Sequence, residues 1–291
     1  MNIIIDKEFE NKTIKELLFN ILKFSRATVI SLKNKDDGIV VNGERVTVRY
    51  RLCPGDELSL NLSDGEEDVN EDIVMNNLPF EIIYEDEDII AVVKERGMPT
   101  HPSHNHYDDT LANALCYYYN SIGRVFVCRF INRLDAQTGG IVLAAKNKAA
   151  AAAMSFLMKN RGFEKKYIAV LGGRIEKESD DIETYIRRRE ESIIIREACK
   201  LREDAKIAIT HYDTIKATDE YSIVYAYPKT GRTHQLRVHF DYVGHSIIGD
   251  TLYNGMANDK LMLFACELSF PYKGKNLTLR AKLPPDFEAL L

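Results

Sequence analysis

In the stretch RFINRLDAQTGGIVLAAKN, residues 129–147, an Arg-Leu-Asp triplet stands between two apolar runs and is followed at once by Thr-Gly-Gly. An acid between hydrophobic segments costs free energy unless something pairs with it. Asp135 is therefore either a surface turn residue or a carboxylate held on a tight loop for chemistry, where strands on both sides give a rigid mount. A second candidate is Tyr167 in EKKYIAVLGG, beside Lys165 and Lys166. Such a ring can stack on a nucleobase while the cations meet phosphates, or it can be an ordinary core tyrosine. The third is YPKTGRTHQLRVHF, where Arg232 and Arg237 lie five apart and a helix is expected from near Thr233. An arginine there can grip a carboxylate with two parallel hydrogen bonds and favour its charged form, or belong to a solvated basic face. Gly231 would let a backbone approach a ligand closely.

Other chemistry is poorly supported. HPSHNH groups His101, His104 and His106 ahead of Asp108 and Asp109, but the spacing matches no zinc pattern and reads as a polar loop. His234 and His239 do not form an HExxH helix, and no GxxxxGK[ST] loop is present. Five cysteines (Cys53, Cys116, Cys128, Cys199 and Cys266) are scattered without a CxxC pair, as in a reducing cytoplasm. No apolar run approaches the roughly 18 residues of a membrane span. The opening MNIIIDKEFE carries acids where a signal peptide carries positive charge. A cytoplasmic protein without a membrane partner is expected.

A scaffold must bring the three candidate stretches together. A length of 291 residues allows one large domain, or a small one and a large one, and the 45% hydrophobic share suits a sizeable core. The acidic run SDGEEDVNED lacks hydrophobic periodicity and reads as a linker. It divides the chain into a small unit over residues 1–63, a linker over 64–77 and a body over 78–291.

In the small unit, TIKELLFNILKFS has helical spacing and opens a helical pair; a small antiparallel sheet follows, in which Asn42-Gly43 turns between Ile39–Val41 and Val46–Val48. In the body, a hairpin is expected around Ile82-Ile83 and Ile89–Val93, and helices in DDTLANALCYYYNSIG, KNKAAAAAMSFLMKN and HQLRVHFDYVG. Strands are expected in VFVCRFI, GIVLAAK, YIAVLGG, KIAITHYDTIKA, YSIVYAYP, LMLFACELSF and NLTLRAKL. Strands outnumber helices without alternating with them, which predicts an α+β fold. The net charge of −5 speaks against a nucleic-acid partner at first. Bases nonetheless cluster around Arg133, Lys165, Arg187–Arg189 and Arg232, so a concave basic surface is compatible with the sum.

Taken together and in this order, INRLDAQTGGIVLAAK, EKKYIAVLGG and KTGRTHQLRVH resemble the three motifs of the RluA-type pseudouridine synthases. GHSIIGDTLY, GMPTHPS near residue 100 and LPPDF near the end extend the likeness over about residues 78–287. The family's catalytic loop is usually written HRLDxxTSG; here Asn132 replaces the His and Gly139 the Ser, while the acid, the Arg before it and the Thr after it remain. The N-terminal unit is similar to a small RNA-binding module first recognised in a ribosomal protein, although Asp36, Asp37 and Glu44 thin out its basic residues.

The resemblance implies a mixed, largely antiparallel sheet flanked by helices, and isomerisation of uridine to pseudouridine in ribosomal or transfer RNA, without metal or cofactor; nothing in the sequence demands more than a monomer. It assigns Asp135, Tyr167 and Arg237 as catalytic: the acid acts on the ribose, the ring stacks on the extruded base, and Arg237 pairs with Asp135. Arg133 would fill the space the base leaves, Leu236 would wall the pocket, and Arg232, Lys165 and Lys166 would hold phosphates. Two rivals keep the same residues in view. A non-catalytic RNA-binding or ribosome-assembly factor needs no carboxylate facing RNA, and a nucleoside-cleaving glycosidase would release free base.

Overall fold

The computed structural model describes residues 1–65, 68 and 73–291. At the N-terminus, β1 (Asn2–Ile4), β2 (Ile39–Val41), β3 (Glu44–Arg45) and β4 (Glu57–Leu60) form an antiparallel sheet in the order β1-β4-β2-β3. Asn42 and Gly43 both have positive φ, 51° and 84°, as a two-residue hairpin turn requires. So tight a turn pairs Val41 directly with Glu44. The partner strand is thus Glu44–Arg45, not the expected Val46–Val48, whose valines pack against the core instead. The helical pair is α1 (Ile14–Glu16), prolonged by a π-helical stretch over Leu17–Ile21, and α2 (Arg26–Asn34). A capping box between Thr13 and Glu16 starts the first, and the Ser25 side chain caps the second. Ile14, Leu17, Leu18, Val29 and Leu32 then close over Ile39, Val41, Leu58 and Leu60.

The body is built on one eleven-stranded sheet. Its strands are β5 (Glu81–Glu85), β6 (Ile89–Lys94), β7 (Arg129–Phe130), β8 (Gly139–Ala145), β9 (Glu164–Gly172), β10 (Ser179–Arg188), β11 (Arg196–Cys199), β12 (Lys206–Ala217), β13 (Tyr221–Pro228), β14 (Leu263–Tyr272) and β15 (Lys275–Arg280). The order is β11-β10-β12-β13-β9-β14-β8-β6-β5, with β15 beside β14 and β7 beside β8. The β14–β8 pair is parallel and the other pairs are antiparallel, so the sheet is mixed and the fold α+β. Strands β1, β10 and β11 were not expected. The first is three residues long, and charged residues in SDDIETYIRR obscure the alternation of buried Ile182, Thr184 and Ile186.

Alternation along β6 and β8 creates two cores. Ile89, Ala91, Ile141, Leu143 and Ala145 face α4 (Lys148–Lys159) through Ala150 and Met154. Ile90, Val92, Val142 and Ala144 face α3 (Leu111–Ser121) through Leu115, Cys116 and Tyr119. Helices α5 (Gln235–Tyr242) and α6 (Pro285–Glu288) bury Leu236, Phe240 and Phe287 in the first of these cores. The expected strand over Val125–Ile131 shrinks to the two residues of β7. Phe126 stacks on Tyr119 at 4.3 Å instead of pairing with a strand. Beyond β7 the Asn132 side chain takes over, its amide bonding the Ile141 carbonyl at 3.0 Å and the Leu143 N–H at 2.8 Å. The Asn in place of the usual His thereby fastens the loop to β8.

Part of the acidic segment does more than link. Its residues 66, 67 and 69–72 lie outside the described residues. Asp64 accepts both arms of Arg129 at 2.7 Å. Asp68 accepts Lys148 at 2.7 Å, and Lys148 also reaches Ser31 of α2 at 2.9 Å. Burial pushes the Asp68 carboxyl up, but the Lys148 and Gly65 hydrogen bonds and the charges of Lys148 and Lys35 outweigh it and hold it at about 2. A carboxylate lowered by folding stabilises the fold above its unfolded value, and that contribution fades as the pH falls towards 2. Lys148→Met is expected to cost about 2 kcal/mol in urea unfolding at pH 7, the part of the Asp68 shift that Lys148 supplies. The difference from the parent should narrow as acid neutralises Asp68; a gap that persists unchanged at pH 2 would contradict the assignment.

Candidate active site

The three candidate stretches meet at one cleft. The loop carrying Asp135 joins β7 to β8, Tyr167 lies in β9, and Leu236 and Arg237 lie on α5. All four line a cavity of about 570 Å³, within the range of about 300–1,000 Å³ usual for small-molecule sites. Seven Lys and Arg side chains line it against the single carboxylate of Asp135. The concave basic surface on an acidic protein is therefore real, and it surrounds that acid.

The loop is pinned from beneath. Lys94, the polar end of the apolar run in β6, is fully buried and donates to the carbonyls of Glu95, Met98 and Ala136 at 2.9, 2.6 and 3.1 Å. Burial, only partly offset by nearby Asp135, pulls its ammonium down to about 7. Three carbonyl partners use all three ammonium hydrogens, which favours the charged form. Buried Thr100 accepts from the Leu134 N–H and donates to the Leu134 carbonyl, while the Gly97 N–H reaches Ala136 at 2.8 Å. The Thr138 N–H closes the turn on the Asp135 carbonyl at 3.0 Å. Gly140, at φ 119°, is irreplaceable here, because a Cβ would lie 2.3 Å from the Ala265 carbonyl oxygen across the β8–β14 pair. Gly139, where the family has Ser, packs against Arg96 and Phe264, and a Cβ would meet the Arg96 side chain at 2.9 Å.

Arg237 does meet Asp135, but not with its fork. Its Nε and Nη2 donate to the two oxygens of Asp250, both at 2.7 Å, and Nη1 is left 3.9 Å from Asp135 Oδ2. Asp250, fully buried, also accepts the Leu252 and Tyr253 N–H groups. The expected pairing of Arg237 with Asp135 is thus corrected to a shared one: the bidentate bond serves a structural acid and a single N–H group faces the candidate catalytic one. Tyr167 is half-buried in the cleft wall, and burial, with smaller contributions from Asp135 and Cys266, raises its phenol, which stays protonated at neutral pH.

The remaining expected residues divide. Arg133 is exposed at the mouth of the cleft, Leu236 is buried in its wall, and Lys165 and Arg232 line it. Lys166 is not in the cleft; its ammonium sits 3.7 Å from the centre of the Tyr225 ring. Successive side chains of β9 point to opposite faces, so Lys165 and Tyr167 share the cleft side and Lys166 cannot join them. The His cluster resolves into local contacts: His101 packs edge-on against Phe130, and His106 pairs with Asp109 at 2.7 Å.

A sequence model described as RNA pseudouridylate synthase matches residues 88–242, more than half of the chain and all three motifs. The chain belongs to the RNA pseudouridylate synthase family. It is 34% identical over 283 residues to a Bacillus subtilis protein named uncharacterized RNA pseudouridine synthase YjbO, covering 96% of this chain and 98% of that one. It is 32% identical to the ribosomal large subunit pseudouridine synthase D of Vibrio parahaemolyticus, covering 88% and 82%. Among solved structures it is similar to human RNA pseudouridylate synthase domain containing 1, with a TM-score of 0.61, 29% identity, and 72% and 87% coverage. The protein is an RNA pseudouridine synthase, an isomerase whose substrate is RNA. No helix of the synthase among the described residues is long and apolar enough to cross a membrane.

Asp250, Lys94 and Thr100 were not singled out from the sequence. A lone lysine ending the run Ile89–Val93 was the available signal for Lys94. Asp250 lies in GHSIIGDTLY, where nothing in the spacing announces a partner for an arginine thirteen residues earlier.

Proposed function

We propose that the synthase converts uridine to pseudouridine in ribosomal RNA of the large subunit, with Asp135 as the catalytic carboxylate. The observation that carries the reading is the convergence of Asp135, Tyr167 and Arg237 on one basic cleft. The ribosomal substrate rests on the relatives named for it. The target base is turned out of the RNA stack into the cleft. Arg133, at the mouth, occupies the vacated space or holds the flanking phosphate, and Lys165 and Arg232 meet phosphates nearby. Asp135 then either attacks the anomeric carbon or removes a sugar proton. In both routes the C–N bond breaks, the base turns over, its carbon 5 bonds the sugar, and the carbon 5 proton leaves. Composition is unchanged, so no co-substrate is required. Leu236 and Tyr167 keep water from the detached base. We further propose that residues 1–63 act as a separate RNA-binding module joined by the acidic segment to the body from residue 78, and that the protein works as a cytoplasmic monomer.

The test uses ribosomal RNA from cells lacking the gene, labelled with tritium at uridine carbon 5. Tritium release without loss of base supports the synthase reading on this substrate, free uracil supports a glycosidase, and unchanged RNA supports a binding factor or another RNA. Mapping pseudouridines with and without the gene identifies the position. Tyr167 gives a separate prediction, because stacking is worth about 1–3 kcal/mol. Tyr167→Phe should keep most of the single-turnover rate and Tyr167→Ala should lose about 10–100-fold. Equal losses would move the role to the hydroxyl.

A further inference from the structure

His234 has no part in the mechanism above, yet it is placed with unusual care. It precedes α5 with φ 57° and ψ 20°, a left-handed conformation that a residue with a Cβ adopts at a cost. Its side chain is 10% exposed and lines the cleft. Nδ1 lies 2.8 Å from the Tyr253 hydroxyl, and Nε2 lies 3.9 Å from Asp135 Oδ2, the same oxygen that Arg237 Nη1 faces at 3.9 Å.

The tautomer follows from counting hydrogens. The Tyr253 oxygen accepts the backbone N–H of Arg196, at the start of β11, at 2.8 Å. Burial raises this phenol, so it keeps its single hydrogen. With the Arg196 N–H already pointing at the oxygen, that hydrogen is free to go to His234 Nδ1. Burial, reinforced by Arg237 and Arg196, lowers the imidazole against the opposing pull of Asp135 and Asp250, which leaves it neutral at neutral pH. A neutral ring that accepts at Nδ1 carries its proton on Nε2. That proton faces Asp135.

We infer that His234 is a positioning residue for the reaction, holding Oδ2 of Asp135 with its Nε2–H together with Arg237 Nη1, in a tautomer fixed by Tyr253 and β11. The consequence is an oriented carboxylate. Oδ2 faces two donors at 3.9 Å, while Oδ1 is left free to act on the sugar. At 3.9 Å both contacts are longer than hydrogen bonds. Such contacts commonly tighten only when substrate closes the site.

This inference rests on the synthase reading, and two measurements separate their failures. The first needs no turnover: nitrogen-15 spectra of histidine-labelled enzyme at pH 7, with His234 assigned by its loss in His234→Gln. Nδ1 should show an unprotonated and Nε2 a protonated shift; the reverse pattern overturns the inference even if the enzyme is active. The second is the single-turnover rate of tritium release from carbon 5-labelled ribosomal RNA. Glutamine places an amide N–H near the position of Nε2, and asparagine near that of Nδ1. His234→Asn should lose about 100-fold, as misplaced catalytic groups do, with half-saturating RNA unchanged, and His234→Gln should recover most of that loss. Tyr253→Phe, which frees the tautomer but keeps the ring, should fall between them. Equal rates for the two His234 variants, or rescue by asparagine alone, would assign the residue to Tyr253 support only. Should the parent enzyme release no tritium while the spectra show the expected tautomer, the substrate proposal fails and the placement of His234 stands.

Discussion

Asp135→Ala is expected to lower the single-turnover rate of pseudouridine formation by about 1,000-fold or more, since both proposed routes to C–N cleavage begin at this carboxylate. The side chain is 29% exposed and its two polar neighbours, His234 and Arg237, stand at 3.9 Å, so little folding energy depends on it. The unfolding midpoint should stay within about 2 °C of the parent, as for substitutions that create neither a cavity nor a buried unpaired group. The loop keeps its shape because Lys94 and Thr100 hold its backbone, not its acid. Turnover near the parental rate would remove Asp135 from the chemistry, and a collapse in stability would recast it as a structural turn.

The second large effect lies at Asp250. Arg237 is 4% exposed and Asp250 is fully enclosed, so truncating the acid leaves a buried guanidinium without its partner. Breaking such a pair costs about 3–5 kcal/mol, which for a chain of this size lowers the midpoint by about 10 °C. Asp250→Ala should also lose activity at temperatures where it is still folded. The released fork would then bond Asp135 directly and occupy the oxygen needed by the ribose. Arg237→Met combined with Asp250→Leu should recover part of the stability, because a well-packed apolar pair can replace a buried ionic one although the Leu252 and Tyr253 N–H groups lose their acceptor, yet remain inactive. Arg237→Lys should resemble Asp250→Ala, since an ammonium cannot donate to two oxygens of one partner while facing a third. Recovery of rate in the double variant would show that the charge at position 237 serves the fold alone.

Much of the site was legible from residue types. Asp135, Tyr167 and Arg237 stood out because each is a chemically active group at the edge of a regular hydrophobic pattern. Their convergence followed from the order of three motifs, once the resemblance was recognised. Lys165 and Lys166 looked equivalent in sequence, and only the pleat of β9, set by its pairing with β13 and β14, sends one to the cleft and the other to Tyr225. The acidic run looked like a solvated linker because its charges have no partners nearby in sequence. Those partners, Arg129 and Lys148, lie at least 65 residues from Asp64 and Asp68.

The sequence by itself determined the α+β class, the helical pair and small sheet at the N-terminus, and the three stretches that carry chemistry. These are local properties: periodicity, turn residues such as Asn42-Gly43, and polar groups interrupting apolar runs. Tertiary structure alone decided who pairs with whom. It gave the fork of Arg237 to Asp250 instead of Asp135, buried Lys94 beneath the Asp135 loop, and turned His234 towards the acid through Tyr253. The physical reason is that an ion pair or hydrogen bond depends on distances of a few ångströms between side chains, whereas chain pattern fixes only which face of an element each side chain occupies.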